Sequence, residues 1–252
     1  MPTFNTAHIT FNTPIYPSQL KYFRGSIIEH AMRMKEVFAA MQIPTDLFHN
    51  HNEESENPSD TLTRFPLIQY HISNRRASIT GIGKGADALN LLVMNKREEM
   101  NIPEGIMPIQ MQQTLELQKK PSLYRMYGWL GLNEDKYDLY QKSARLMDKI
   151  PILEQSLTNS ILRFSENMGW NKHQKIEAFI HEIGHCEYKR FKNFSLKAFD
   201  LTFGCNVSLP ENICIGKGCS MGFGKIQLLP NKKNQMLKNI YNVPGENTIV
   251  LS

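Results

Sequence analysis

Four glycines, Gly216, Gly218, Gly222 and Gly224, fall within nine residues, with Lys217 and Ser220 among them. Glycine opens φ > 0 conformations and lets another backbone approach closely. Successive main-chain N–H groups arranged in this way form a concavity that holds anions. A lysine in such a loop adds a point charge for a phosphate. The stretch is therefore a candidate phosphate-holding loop, with Gly216, Lys217, Gly218, Ser220, Gly222 and Gly224 as its contacts. It is not a Walker loop, which needs G-x-x-x-x-G-K-[ST]. The residue five before Gly224 is Cys219, and Ile226 follows Lys225.

A second chemical signal is a pair of histidines. His49 and His51 stand two apart in the polar, breaker-rich stretch 47–60. In extended backbone, side chains two apart share one side, about 6–7 Å from each other. Imidazole, with an ordinary pKa near 6.5, serves as acid or base around neutral pH. His30, His71 and Tyr22 are further residues of suitable chemistry.

A third signal competes with these. His181-Glu182-Ile183-Gly184-His185 matches H-E-x-x-H, the zinc peptidase pattern. The pattern binds metal only on a helix, where residues four apart are neighbours. On a strand they lie roughly 13 Å apart. Ile176, Phe179, Ile180 and Ile183 fit a helical stripe, whereas Gly184 weakens a helix interior by about 1 kcal/mol. The extended pattern is also missing, with Tyr188 and Phe191 where Gly and His would stand. Glu211 is a distant candidate third ligand.

The elements that must position these residues follow from periodicity and breakers. Residues 4–11 read as a strand, and 20–34 as a helix with Leu20, Phe23, Ile27, Ala31 and Met34 on one face. Residues 65–71 and 76–82 read as a hairpin turning at Ser73-Asn74. The cluster Gly81-Ile82-Gly83-Lys84-Gly85-Ala86 opens a helix over 86–94. It fits the loose G-x-G-x-x-G/A dinucleotide fingerprint, but a linker (Lys96-Arg97-Glu98-Glu99, Pro103-Glu104-Gly105) follows in place of another βαβ unit. A tight strand-to-helix turn is the preferred reading. With the next strand, the order is βαββαβ, the ferredoxin-like pattern. Further on, 108–117 and 123–130 suggest strands. Helices are expected at 134–149 and 152–168, interrupted at Pro151. Strands are then expected at 175–185, 194–207 and 225–229. The expected units are 1–102, 103–230 and a tail over 231–252.

Bulk properties set bounds on this reading. The chain has 252 residues, 41% hydrophobic and 21% charged, an ordinary globular balance. Its net charge of +5 is compatible with a polyanionic partner. Cys186, Cys205, Cys214 and Cys219 show no paired C-x-x-C spacing and are expected to be reduced thiols. No secretory leader is read at the N-terminus, and no apolar run is long enough to span a membrane. A cytoplasmic location is expected.

Around the glycine loop, Asn206, Val207, Leu209 and Pro210 lead into Gly216-Lys217-Gly218, then Ser220, Gly222-Phe223-Gly224. This resembles the loop near the C-terminus of the CRISPR-associated repeat-processing endoribonucleases (the Cas six family, within the RAMP superfamily). Tyr22-Phe23-Arg24-Gly25, Leu47-Phe48-His49-Asn50-His51 and Arg64-Phe65-Pro66-Leu67-Ile68-Gln69-Tyr70 look like the first domain of such proteins. The resemblance implies an α+β fold of two tandem ferredoxin-like (RRM-like) domains. It makes the H-E-x-x-H stretch a strand. It implies cleavage of CRISPR repeat RNA by attack of a 2′-hydroxyl, leaving a 2′,3′-cyclic phosphate and a 5′-hydroxyl, with no metal ion or other cofactor. The catalytic candidates are then His49 and His51. Arg24, Arg64, Arg76 and Lys217 are the candidate phosphate contacts. Repeat RNA is the implied partner. Other subunits of a CRISPR effector complex and a second copy of the chain are further candidates, and no membrane is expected. The alternatives are a zinc peptidase built on His181, Glu182 and His185, and an RNA-binding protein of the same fold that does not cut.

Overall fold

The structure is a computed structural model that describes residues 1–49, 65–100, 107–171, 174–191 and 193–230. The chain opens with strand β1 (Thr3–Pro14), whose alternating pattern buries Ala7, Ile9 and Phe11 on one face. Pro17 starts a short 3-10 turn that leads into helix α1 (Leu20–Arg33), and a short α2 (Lys35–Ala40) follows. The hairpin of β2 (Ile68–Ser73) and β3 (Arg76–Ile82) turns at Asn74 and Arg75, both with positive φ. Helix α3 (Lys84–Lys96) and strand β4 (Ile109–Thr114) complete a four-stranded antiparallel sheet of order β2-β3-β1-β4.

The second half repeats that order. Strand β5 (Leu117–Trp129) is followed by α4 (Glu134–Lys142) and α5 (Leu146–Asn167). The long hairpin of β6 (Ala178–Phe191) and β7 (Phe194–Val207) comes next, and β8 (Lys225–Leu228) closes the sheet β6-β7-β5-β8. Where the first half has α3, the second has the glycine loop with a single 3-10 turn at Cys219–Met221. The expected α+β fold of two ferredoxin-like halves is therefore present.

The structure adds detail at three places. Strand β4 pairs with β1, from Thr3 opposite Thr114 to His8 opposite Ile109, and so joins the first sheet. Pro151 lies inside α5 and does not interrupt it. A proline there removes the N–H that would bond the carbonyl of Met147 and presses its ring against that carbonyl. Met147 is 79% exposed, so water can take that carbonyl. The helix break falls instead at Ser143, whose ψ of 119° is extended. Third, β6 runs well past His185, to Phe191.

The dinucleotide-like turn is closed by backbone. A Cβ on Gly85 would stand 2.1 Å from the carbonyl oxygen of Leu67. The Ile82 and Gly83 amides donate to Leu67 and Asn5 at 2.8 and 2.7 Å. Glycine is required here for close approach, and these amides are not available to a phosphate.

Two apolar cores meet at one seam. Tyr70, Ile79, Leu89 and Phe38 centre the first; Trp129, Phe199, Leu157 and Phe164 centre the second. The Phe164 ring packs against Phe4 and Phe65 of the first half, at centroid distances of 6.2 and 5.2 Å. Among the described residues no helix is long and apolar enough to cross a membrane.

Candidate RNA-binding cleft

The glycine loop takes its shape from groups that the sequence already singles out. Asn206 accepts from the Glu177 amide at 2.8 Å and donates to the Lys175 carbonyl at 3.1 Å, tying the loop's entry to the start of β6. The Leu209 amide donates to the Tyr124 hydroxyl at 2.9 Å. All four glycines adopt positive φ. At two of them a side chain would also have no room. At Gly218 a Cβ would come within 2.8 Å of the Phe191 ring and 2.9 Å of Phe223. At Gly222 it would meet His71 and the Tyr70 carbonyl at 3.0 Å, so this glycine lets the loop lie on β2.

The loop is fixed to the first half by polar contacts buried in the seam. Gln69, fully buried, donates to the Cys214 carbonyl at 2.9 Å and accepts from its amide at 2.7 Å. Thr80 donates to the Asn212 carbonyl at 3.0 Å, and Lys225 donates to the Ser73 hydroxyl at 2.5 Å. His8 and His71 stack alongside, with centroids 5.4 Å apart. Burial and then the Lys225 charge push the His8 imidazole down to about 4. His71 is held well below the usual imidazole range by burial first, then Lys225 and His8. Lys225 is itself lowered by burial and serves the seam, not the cleft.

Between the halves lies a cleft of about 860 Å³. Gly216, Lys217, Gly218 and Ser220 line one end, and Arg24 and His49 line the first-half wall. Lys21, Lys136, Arg163 and Arg190 add positive charge, and no Asp or Glu lines it among the described residues. A cleft lined by one sign of charge concentrates ligands of the opposite sign.

His49 follows a 3-10 turn, Thr45–Phe48, anchored by buried Leu47 and Phe48. Its carbonyl accepts a 2.7 Å bond from the Arg24 guanidinium. Arg24 lies over the Tyr70 ring at 5.9 Å, and the Tyr70 hydroxyl donates to the Phe48 carbonyl at 2.9 Å. The backbone that carries His49 is thus held from α1 and β2 together.

Not every expected residue reaches the cleft. Gly222 and Gly224 shape the loop without lining it. Arg76 lies at the β2–β3 turn, donating to Asn12 at 3.3 Å, and is not part of the cleft wall. His51 and Arg64 lie outside the described residues. His30 is engaged with the Ser26 carbonyl at 2.7 Å, Tyr22 is 69% exposed, and His71 is buried in the seam. The sequence reading missed Lys21, Lys136, Arg163 and Arg190. Of these, Arg163 carried a usable signal, since it follows Ser156, Asn159 and Ser160 at helical spacing beside an apolar stripe.

The zinc peptidase alternative is overturned by secondary structure. His181, Glu182 and His185 all lie in β6, where residues four apart are separated by roughly 13 Å. Among the described residues no three His, Cys, Asp or Glu side chains are placed to hold one ion. Glu211 instead accepts from the Leu228 amide at 3.2 Å. Three of the four cysteines, Cys205, Cys214 and Cys219, are buried free thiols, with burial pushing the Cys219 thiol up to about 12.

Two family models match the chain, the Cas6b N-terminal domain over residues 2–120 and the Cas6b C-terminal domain over 116–229. The chain belongs to the Cas6 family of CRISPR repeat-processing endoribonucleases. Solved Cas6 structures share its fold. A crystal structure of Cas6b superposes with a TM-score of 0.68 at 21% identity, covering 91% of this chain and all of that one (100%). A CRISPR RNA processing endoribonuclease Cas6b gives 0.62 at 20% identity, with coverage of 91% and 100%. Csf5, a type IV Cas6 crRNA endonuclease, gives 0.54 at 11% identity, with coverage of 90% and 100%. Comparison with curated protein sequences finds no match.

Proposed function

We propose that this chain cuts CRISPR repeat RNA in the cleft by metal-independent transesterification. A 2′-hydroxyl attacks the adjacent phosphorus in line and the 5′-oxygen departs. The P–O5′ bond breaks as the P–O2′ bond forms, leaving a 2′,3′-cyclic phosphate and a 5′-hydroxyl. One proton leaves the nucleophile and one is delivered to the leaving oxygen, so the step needs a base, an acid and positive charge at the non-bridging oxygens. His49 supplies one of the first two roles and His51 the other. Lys217 and the glycine loop hold the phosphate, with Arg163 and Arg190 on the surrounding walls.

The observation that carries this reading is that His49 lines the same cleft as Lys217 and the glycine loop, a cleft that no Asp or Glu lines among the described residues. A histidine beside a concentration of cations suits phosphodiester chemistry. Repeat RNA is the proposed partner, with other effector-complex subunits and a second copy of the chain as further ones.

Cleavage of the repeat transcript by the purified full chain tests the reading. His49→Ala should slow cutting by roughly a hundredfold or more, with RNA binding nearly unchanged. A 2′-deoxy substitution at the scissile nucleotide should abolish cutting. Cleavage of that deoxy substrate at the parental rate would remove the 2′-hydroxyl mechanism. Binding without any cutting would leave an RNA-binding protein of the same fold.

A further inference from the structure

Helix α5 has two working faces. Leu153, Leu157 and Ile161 are fully buried in the second core, and Phe164 is buried in the seam against Phe4 and Phe65. Ser156, Asn159, Ser160 and Arg163, spaced three, four and seven apart, all line the cleft. That spacing places them on one side of the helix, beside the apolar stripe.

We infer that this α5 face reads the base of one unpaired purine in the cleft, an inference that rests on the cleft being an RNA site. The other cleft walls present cations, and cations on phosphates fix register without carrying sequence information. The α5 stripe presents mainly neutral groups that both donate and accept. Its Ser156 side chain is 97% buried by residue (3% exposed), and its hydroxyl has no hydrogen-bond partner among the described residues. An unsatisfied buried hydroxyl at the wall of an open cleft is what a base edge would complete. Ser160 spends its proton on the Ser156 carbonyl at 2.8 Å and keeps acceptor capacity. The exposed Asn159 amide makes no hydrogen bond among the described residues.

Two further features fix the class of ligand. Phe191 and Phe223 line the same cleft as an edge-to-face pair, 5.9 Å apart at 90°. Such rings are stacking surfaces for splayed bases. A cleft of about 860 Å³ is of small-ligand size. It takes a few unpaired nucleotides, and a duplex would keep its base edges in its own grooves. An amide matches the N6/N7 edge of adenine and a guanidinium the O6/N7 edge of guanine. Asn159 and Arg163, one helical turn apart, therefore face a purine.

The test uses the full chain and a pool of short random-sequence 2′-O-methyl RNAs, which bind without being cut. Sequencing of the bound fraction should show a purine enriched about tenfold or more at one position. Asn159→Ala, on an exposed site with an unchanged melting temperature, should erase that enrichment and alter total binding little. Asn159→Asp, which replaces the donor by an acceptor, should shift the preference away from adenine. Lys217→Ala should lower binding of the whole pool and leave the preference intact. Purine enrichment that survives in both Asn159 variants, or parental binding with no base preference, overturns the inference while the RNA site stands. A parental chain that binds no RNA overturns both.

Discussion

The side-chain amide of Gln69 pairs with the backbone of Cys214 as one strand pairs with another, donating at 2.9 Å and accepting at 2.7 Å. Gln69 belongs to β2, in the half that carries His49, and Cys214 stands at the base of the glycine loop in the other half. The contact sets the loop relative to the histidine across the seam. Gln69→Ala leaves the Cys214 amide and carbonyl unsatisfied in a dry environment, which costs about 1–3 kcal/mol. Denaturant unfolding should show that loss. An unfolding midpoint equal to the parental one would mean that the pair does not hold the seam.

Stability should fall on acidification through the histidines of the same seam. His8 titrates at about 4 in the folded chain and His71 lower than usual, whereas both take up protons near 6.5 when unfolded. Below about pH 6.5 the unfolded state therefore binds more protons than the folded state. The stability they contribute is complete above that pH and is lost progressively towards about pH 4. Lys225, the nearby cation, steepens the loss. His71→Phe should flatten the fall in unfolding midpoint between those two pH values. A variant that loses stability as steeply as the parent would assign the effect to other groups.

Arg24 and Lys217 line one cleft and should fail in different ways. Lys217 is the proposed phosphate contact, so Lys217→Ala should weaken all RNAs and reduce the slope of log affinity against log salt by about one unit. Arg24 holds the His49 carbonyl at 2.7 Å, so its loss should let the histidine drift. Arg24→Ala should lower the single-turnover cleavage rate by about tenfold to a hundredfold, with a smaller effect on affinity. Equal losses of affinity in both variants, with cutting at saturation intact, would make Arg24 an ordinary phosphate contact.

How much of this was legible in the sequence depended on how local the signal was. Period-two alternation marks β1 and β3, and the glycines mark the loop, because each is set by its own few residues. The seam was not legible: Gln69 and Cys214 are 145 residues apart, and neither is unusual by type. Pro151 misled because its cost depends on whether the carbonyl of Met147 can reach water, which only the fold decides. The α5 stripe was visible as spacing, but that its polar side lines the same cleft as the glycine loop follows only from the fold. H-E-x-x-H had the right letters, and the strand pairing of β6 with β7 removed its chemistry.

The chemistry of the cut ends tests the central claim most directly. Repeat RNA would be cleaved by the purified chain in excess EDTA, and the upstream product analysed by mass spectrometry. A 2′,3′-cyclic phosphate opposite a 5′-hydroxyl, formed at the metal-replete rate, is the predicted result. A 3′-hydroxyl opposite a 5′-phosphate, or cutting that stops in EDTA and returns with added metal, would contradict it.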